Sequence, residues 1–237
     1  MTVAGFAAVA CDEAVWALGV DEVGIAVGTS LDSVWGLVGA TGPLVTAIDD
    51  EQLRLGIGPV PDALRLGGVH GAPDLHSVRV IDHHAAFLAR GATRLGVGAV
   101  FAIGLQLPTG TPAALHLVRR TPGAPIDDDA VHVHAKNVGV AIARDIDLRL
   151  MHGAAGDHWI DRFVVGRDAT SRPHVGDSLT RRLRVVAAVD MVVTAERIDH
   201  HDALARLRGY GFRDDRPLSD LAELVLSGDV AVDDLMR

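Results

Sequence analysis

The chain of 237 residues is long enough for one or two domains with a hydrophobic core. Its 49% hydrophobic and 22% charged residues are typical of a globular protein and exclude an intrinsically disordered one. The formal net charge of −9 excludes a surface that is basic all over, so any contact with nucleic acid has to come from a local cluster.

The single cysteine, Cys11, excludes an intrachain disulfide and a cysteine-based zinc site. The apolar N-terminal run meets Asp12 and Glu13 early and has no basic segment before it, unlike a signal peptide. The longest stretch without Asp, Glu, Lys or Arg, residues 95–118, is interrupted by LPTGTP and predicts two strands and a turn, not a membrane span. We therefore expect a cytoplasmic protein with no membrane contact.

The first predicted elements are a helix, a hairpin and a second helix. An alanine-rich pattern predicts a helix over residues 4–18. The apolar residues that can share one face of it are Phe6, Val9, Val15 and Leu18. Two β-branched runs, VGIAVGTS and VWGLVGAT, are joined by the polar residues SLDS, which indicates a β-hairpin. The segment PLVTAIDDEQL predicts a short helix with Pro43 near its first turn, and RLGIGPVPDALRLGG predicts a loop that leads into one helical turn.

The next segments complete the predicted sheet. SVRVIDHHAAFLARGATRLG predicts a brief strand and a helix that Asp82 can N-cap. The strands VGAVFAIGLQL and AALHLVRRT follow, and a long helix begins near APIDDDAV, with acidic residues in its first turn. One apolar stripe on this helix needs a partner, either the sheet or a second copy of the chain. The stripe consists of Val131, Ala135, Val138, Ile142, Ile146 and Leu150.

This order of elements predicts an α+β fold with an antiparallel sheet sandwiched by helices over residues 1–150. Residues 151–177 are irregular and rich in Gly, Asp and His, which indicates a linker. A small all-α part of three helices is predicted over residues 178–237, the first of them over 178–196. Asp199 is a good N-cap for the second, with Asp202 at the capping-box position and Ile198 placed to contact Ala203. The third begins at Pro217 and stops at Gly228.

Two segments resemble known families. LGIGPVPDALRLGGV is similar to the loop LGEGPCxDAxxxGxPV of actinobacterial GAF domains, and this resemblance covers about residues 4–150. VVAAVDMVVTAERIDHHDALARLRGYGFRDDRPLSDLAELVLSG resembles the ANTAR domain without a gap. The small and apolar positions that the resemblance assigns to the ANTAR core are Ala188, Ala203, Leu207, Tyr210, Leu218 and Ala222.

The resemblance implies a signal-responsive regulator and not an enzyme. A GAF sensor would be coupled to an ANTAR output that dimerises and binds paired RNA hairpins, which compete with a transcription terminator. The implied partners are RNA hairpins, a second copy of the chain and an unidentified small-molecule signal. The GAF ligand pocket of the resembling family corresponds to about residues 54–95. We expect no cofactor, since aromatic residues make up only 4% of the chain.

Arginines of the last three helices are the candidate RNA contacts. They are Arg181, Arg182, Arg184, Arg206, Arg208, Arg213 and Arg216. The spacing further predicts that Arg206, Arg208, Arg213 and Arg216 face the solvent. The residues predicted to bury the opposite, apolar side are Leu207, Tyr210, Leu218, Leu221 and Val225.

A second interpretation stays open: a GAF-mediated dimerisation or protein-interaction module whose ANTAR domain no longer binds RNA. Asp190 and Arg197 stand where the family often has Gly, Val189 where many members have Lys, and Asp215 where many have a neutral residue. One basic stripe would favour RNA binding, whereas arginines paired with carboxylates would favour the second interpretation.

The chain contains twelve histidines but no HExxH motif and no other pair of histidines four residues apart on a predicted helix. His132 and His134 are two residues apart, so they do not share a helix face. We therefore expect no metal site. Cys11 is flanked by acidic residues, which disfavour the thiolate and with it a catalytic cysteine.

Overall fold

The computed structural model describes residues 3–28, 34–76, 91–92, 94–107, 110–124, 133–134, 137 and 173–236. Most of the predicted helix that Asp82 would cap, nearly all of the long helix and residues 151–172 of the predicted linker lie outside these ranges, and residues 91, 92 and 94 of the first of them are helical. The apolar stripe predicted on the long helix also lies outside the described residues.

A five-stranded antiparallel sheet is at the centre of the described chain, with the strand order β2-β1-β5-β4-β3. The predicted hairpin is confirmed: β1 (Glu22–Gly28) pairs with β2 (Trp35–Ala40). β4 (Ala99–Gln106) and β5 (Pro112–Arg119) form the second predicted pair. The sequence did not predict β3 (Val69–Ala72), which pairs with β4 although its four residues include a glycine.

The helix α1 (Val3–Leu18) covers one face of the sheet, as the sequence predicts, but its buried residues agree only in part with the predicted face. The buried residues are Ala10, Cys11, Ala14 and Leu18. Leu18 is buried as predicted and Val15 packs partly buried against the same cluster, whereas Val9 is 46% exposed, so the predicted apolar face is wrong for Val9. Small residues at spacings of three and four let the helix approach the sheet closely, which a prediction based on the largest apolar residues misses. The side chain of Phe6 lies outside the described part.

The other face of the sheet carries two short helices. α2 (Pro43–Leu55) begins at the predicted proline and ends at Gly56, whose φ of 71° is in the left-handed region. α3 (Pro59–Leu66) follows and is longer than the single predicted turn. Both helices place apolar side chains against the sheet, where Val45 and Val60 are fully buried.

Three helices follow at the C-terminal end of the described chain. α4 (Pro173–Glu196) begins earlier than the predicted residue 178, at a proline that suits a first helical turn. α5 (His200–Arg213) has the predicted N-cap, because Asp199 Oδ1 accepts a hydrogen bond of 2.8 Å from the Asp202 backbone N–H. α6 (Leu218–Ser227) follows Pro217 and ends at Gly228, as predicted.

The C-terminal helices share one apolar cluster with α2, α3 and the sheet. α4 packs on β2, and α5 packs on α2. Of the residues assigned above to the core of these helices, Tyr210 is partly buried and the others are buried. The buried ones are Ala188, Ala203, Leu207, Leu218 and Ala222. Leu221 and Val225 are buried with them. The C-terminal helices therefore belong to the same packed core as the sheet.

Arg197 ends α4 with a φ of 55°, in the region that disfavours residues with a Cβ. Its backbone N–H donates to the Val193 carbonyl over 2.9 Å, so the turn is closed as a glycine would close it. The sequence departs from the resembling family at this position, and the backbone keeps the conformation that glycine favours.

We predict that Arg197→Gly raises the free energy of unfolding by about 0.5–1 kcal/mol, because it relieves the left-handed conformation at some entropic cost. Urea denaturation measures this change. Arg197→Ala is the matched control: it removes the same charge and keeps the Cβ, so it gives no such gain. Equal effects of the two variants would contradict the prediction.

Candidate functional site

A buried ion pair joins α4 to α2. Arg182 is 2% exposed, and its Nη2 donates to Asp49 Oδ2 over 2.7 Å. The same nitrogen lies 2.6 Å from Asp50 Oδ1, an ion-pair contact without hydrogen-bonding geometry. Trp35 Nε1 on β2 donates to the other oxygen of Asp49 over 2.7 Å. Asp49 is fully buried, so a carboxylate and a guanidinium neutralise each other inside the apolar cluster.

The two charges depend on each other. Burial alone pulls the pKa of Arg182 down, but Asp49 and Asp50 outweigh it and raise the pKa above the usual value. Burial raises the pKa of Asp49, and the Arg182 guanidinium and the Trp35 N–H oppose that rise. Removing Arg182 would leave the fully buried Asp49 without a compensating charge, which is one of the largest penalties in a protein core.

Arg181 adds a weaker contact beside this pair. Its Nη2 lies 3.7 Å from Asp50 Oδ2, and both side chains remain about a third exposed. Asp50 therefore faces two guanidinium groups of α4. The residues Asp49, Asp50, Arg181 and Arg182, together with Trp35, are called the α2–α4 junction below.

A third arginine binds the C-terminal end of α2. Arg208 of α5 donates from Nε to the Leu53 carbonyl over 3.0 Å. Carbonyls of a last helical turn lack a partner within the helix, and the helix dipole favours a cation there. A Cβ on Gly56 would lie 2.7 Å from Arg208 Nη1, so this glycine leaves room for the guanidinium. Burial lowers the pKa of Arg208 to about 10, which still leaves it charged at neutral pH.

α2 is also bonded to the sheet and to α3, through Gln52. The Gln52 Oε1 accepts a hydrogen bond of 2.8 Å from the Val60 backbone N–H at the start of α3. Its Nε2 therefore donates to His116 Nε2 on β5, 3.2 Å away, which assigns the proton of the neutral ring to Nδ1. Burial lowers the pKa of His116 to about 3, so the ring is neutral at physiological pH. Sequence reasoning did not single out Gln52 or His116.

The seven candidate arginines do not form one basic stripe. Arg181, Arg182 and Arg208 contact α2, and Arg206 is partly buried. The prediction that Arg208 faces the solvent is wrong, because the C-terminal end of α2 covers it. Arg184 is exposed and pairs with Glu223 of α6 over 3.2 Å.

The remaining two candidates lie at the turn between α5 and α6, on the solvent side as predicted. Arg213 is exposed, pairs with Asp214 over 3.1 Å, and has its guanidinium 4.3 Å from the centre of the Tyr210 ring. Arg216 is exposed, and Phe212, which precedes Arg213, is 53% exposed. We call Phe212, Arg213 and Arg216 the turn surface. It presents an aromatic ring and two guanidinium groups outside the α2–α4 junction.

Other kinds of site find no support in the described part of the chain. No group of three or more His, Cys, Asp or Glu residues is placed to hold a metal ion among the described residues. The described helices include none that is long and apolar enough to cross a membrane. Cys11 is fully buried between α1 and the sheet.

Comparison with known proteins gives weak similarities to solved structures. No family model matches the chain, and no curated protein matches it. The chain is 10% identical to the GAF domain region of a protein from Geobacter sulfurreducens PCA, with a TM-score of 0.48, over 62% of this chain and 93% of that one. GAF3 from Slr1393 of Synechocystis sp. PCC6803 is 15% identical, with a TM-score of 0.47, over 64% of this chain and 100% of that one.

A third similar structure is an enzyme. It is the type II free methionine-R-sulfoxide reductase from Thermoplasma acidophilum, 12% identical, with a TM-score of 0.42, over 60% of this chain and 93% of that one. At these levels of similarity the comparisons assign neither a family nor a function to the chain.

We predict that Arg182→Met lowers the free energy of unfolding by about 3–5 kcal/mol, because it leaves Asp49 buried and unpaired. The double variant Asp49→Leu with Arg182→Met recovers most of this loss, since it removes both charges from the core. Urea denaturation of the two single variants and the double variant measures the coupling.

The matched control is Arg184→Ala. Arg184 lies on α4 like Arg182, and its exposed ion pair with Glu223 of α6 is lost in this variant. We expect it to change stability by less than about 1 kcal/mol. A loss for Arg182→Met as small as that of the control would show that the junction does not hold α4 on α2.

Proposed function

We propose that this chain is a signal-responsive regulator in which a GAF-like sensor, residues 1–150, controls an ANTAR-like RNA-binding output, residues 178–237. In this proposal it acts in the cytoplasm as a homodimer and changes transcription termination by binding RNA hairpins. The observation that carries the RNA-binding part is the turn surface, where one exposed aromatic side chain and two exposed arginines occur within five residues.

The turn surface has the chemistry that RNA loops require. Unpaired bases stack on aromatic rings and on guanidinium planes, and arginines bind the phosphates beside them. Phe212 and the pair of Arg213 with Tyr210 supply such planes, and Arg216 supplies a further positive charge. The ion pair of Arg213 with Asp214 is exposed, and such exposed pairs contribute little, so a phosphate can compete for Arg213.

The sensor is coupled to the output through α2 in this proposal. α2 contacts the sheet and α3 through Gln52 and the C-terminal helices through Asp49, Asp50 and the Leu53 carbonyl. A signal that shifts α2 would have to change these contacts as well. Arg181, Arg182 and Arg208 then serve as the connection to the sensor and not as RNA contacts.

A second function is favoured by a specific observation, the pairing of the arginines. Arg181, Arg182, Arg184 and Arg213 each lie within ion-pair distance of a carboxylate. This pairing is the arrangement expected of a dimerisation or protein-interaction module that no longer binds RNA. RNA binding has to be measured to separate the two.

We predict that the wild-type chain binds a leader RNA with two hairpins, and that the double variant Arg213→Ala with Arg216→Ala binds it more weakly. The slope of log affinity against log salt concentration should flatten by about one unit for each lost phosphate contact. Fluorescence anisotropy at two salt concentrations measures both quantities. Light scattering on the same samples should give the mass of a homodimer.

Arg65→Ala is the matched control, because Arg65 is also an exposed arginine with an adjacent carboxylate, Asp62, over 2.8 Å. Its RNA affinity and salt slope should equal those of the wild type. If no hairpin RNA binds the wild type at low salt, the RNA proposal is wrong and the interaction module is favoured.

A further inference from the structure

A cleft of about 540 Å³ lies between α2 and the turn that joins α5 to α6. Its walls come from α2, from the segment that includes Arg94 and Leu95, and from residues at the end of α5 and in the following turn. No residue of the sheet is among those that line it. The volume is within the range of small-molecule sites in proteins, roughly 300–1,000 Å³.

Each of the elements that line the cleft contributes apolar residues. Phe212 contributes its ring, and Leu55, Leu95 and Pro217 contribute aliphatic surface. The Arg54 guanidinium lies 5.7 Å from the centre of the Phe212 ring. The Phe212 side chain nevertheless remains 53% exposed. A planar ligand can therefore stack on the Phe212 ring inside the cleft.

When the ion pairs of the charged residues that line the cleft are counted, one positive charge remains. Asp50 is neutralised in the α2–α4 junction, and Glu51 holds Arg54 through two hydrogen bonds. Arg94 lies 3.9 Å from Asp215, and both side chains are at least 75% exposed, so an anion can displace this weak pair.

Arg216 has no carboxylate within ion-pair distance among the residues that the structure describes. Two guanidinium groups, Arg94 and Arg216, therefore line the same cleft as the exposed ring. Guanidinium groups bind carboxylates through paired hydrogen bonds, so one carboxylate is the charge that this cleft can compensate.

We propose that this cleft binds an aromatic carboxylate, with the ring stacked on Phe212 and the carboxylate held by Arg216 and Arg94. The ligand contacts α2 and the α5–α6 turn at once, so it holds the C-terminal helices on the sensor. This regulatory meaning rests on the proposed function, whereas binding itself does not. Because Arg216 also belongs to the turn surface, the ligand and RNA compete for it.

Isothermal titration calorimetry with naphthoate as the probe tests the site on the full chain, without RNA. We expect wild type to bind naphthoate with a Kd below about 1 mM. Naphthalenemethanol, which has the same ring and no charge, should bind at least about tenfold more weakly, since it lacks the carboxylate. Naphthyl phosphate distinguishes a carboxylate site from a phosphate site, and tighter binding of the phosphate would overturn the assignment to carboxylates.

Two variants locate the ligand. Arg216→Ala and Phe212→Ala change exposed side chains and should each weaken naphthoate binding at least about tenfold. Arg65→Ala, an exposed arginine outside the cleft, should leave it unchanged. Urea denaturation confirms that each variant is folded. If wild type does not bind naphthoate below about 1 mM, or if the two cleft variants bind it as the wild type does, the proposal is wrong.

This test is independent of the RNA experiment. Naphthoate binding without RNA binding would support the ligand site in the cleft and contradict the proposed RNA-binding output. RNA binding without naphthoate binding would support the RNA output and overturn the proposal that the cleft binds an aromatic carboxylate.

Discussion

A guanidinium buried between two carboxylates of one helix holds the C-terminal helices in place. Burying an isolated charge in an apolar core is very unfavourable, so Arg182 can stay inside only because Asp49 and Asp50 lie beside it. The Arg182 Nε has no hydrogen-bond partner among the described atoms, so the pair is not fully satisfied. Apolar residues would pack at this position at least as well. What the pair contributes is a fixed position of α4 on α2, because a shifted helix would leave both charges unpaired.

α2 contacts α3, the strands β1, β2 and β5, and all three C-terminal helices. Asp49, Gln52 and Leu53 lie at positions i, i+3 and i+4, which brings them to one side of the helix. Asp49 binds α4 and β2, Gln52 binds α3 and β5, and the Leu53 carbonyl binds α5. Polar groups in a buried face are sensitive to displacement because each must keep its partner. A change on the side of α2 that faces the sheet therefore has direct consequences for the C-terminal helices.

The elements that the sequence predicted correctly follow local rules. The β1–β2 hairpin, the proline at the start of α2 and the Asp199 cap depend on residues that are close together in the chain. The predicted face of α1 was correct for Leu18 but missed Ala10, Cys11 and Ala14, because small residues also let a helix pack closely on a sheet. β3 is four residues long and is held by its pairing with β4, which a local pattern does not reveal.

The role of Arg182 was missed because its partners are far away in the sequence, with Asp49 133 positions distant. The sequence nevertheless contains an indication of this role. Arg182 precedes the buried residues Val185, Val189 and Val192 at spacings of three and four, so it falls on the apolar stripe of α4. A charge on such a stripe requires a buried partner, and α2 offers one in the consecutive acids Asp49 and Asp50.

Backbone hydrogen–deuterium exchange is the most direct measurement of whether α2 holds the C-terminal helices. It should be followed in wild type, in Asp49→Asn and in the surface control Asp62→Asn. If α2 and the C-terminal helices are coupled through the junction, Asp49→Asn speeds exchange in α4 and α5 much more than in β4 and β5, and the control leaves all of them unchanged. Unchanged protection of α4 and α5 in Asp49→Asn would contradict this account.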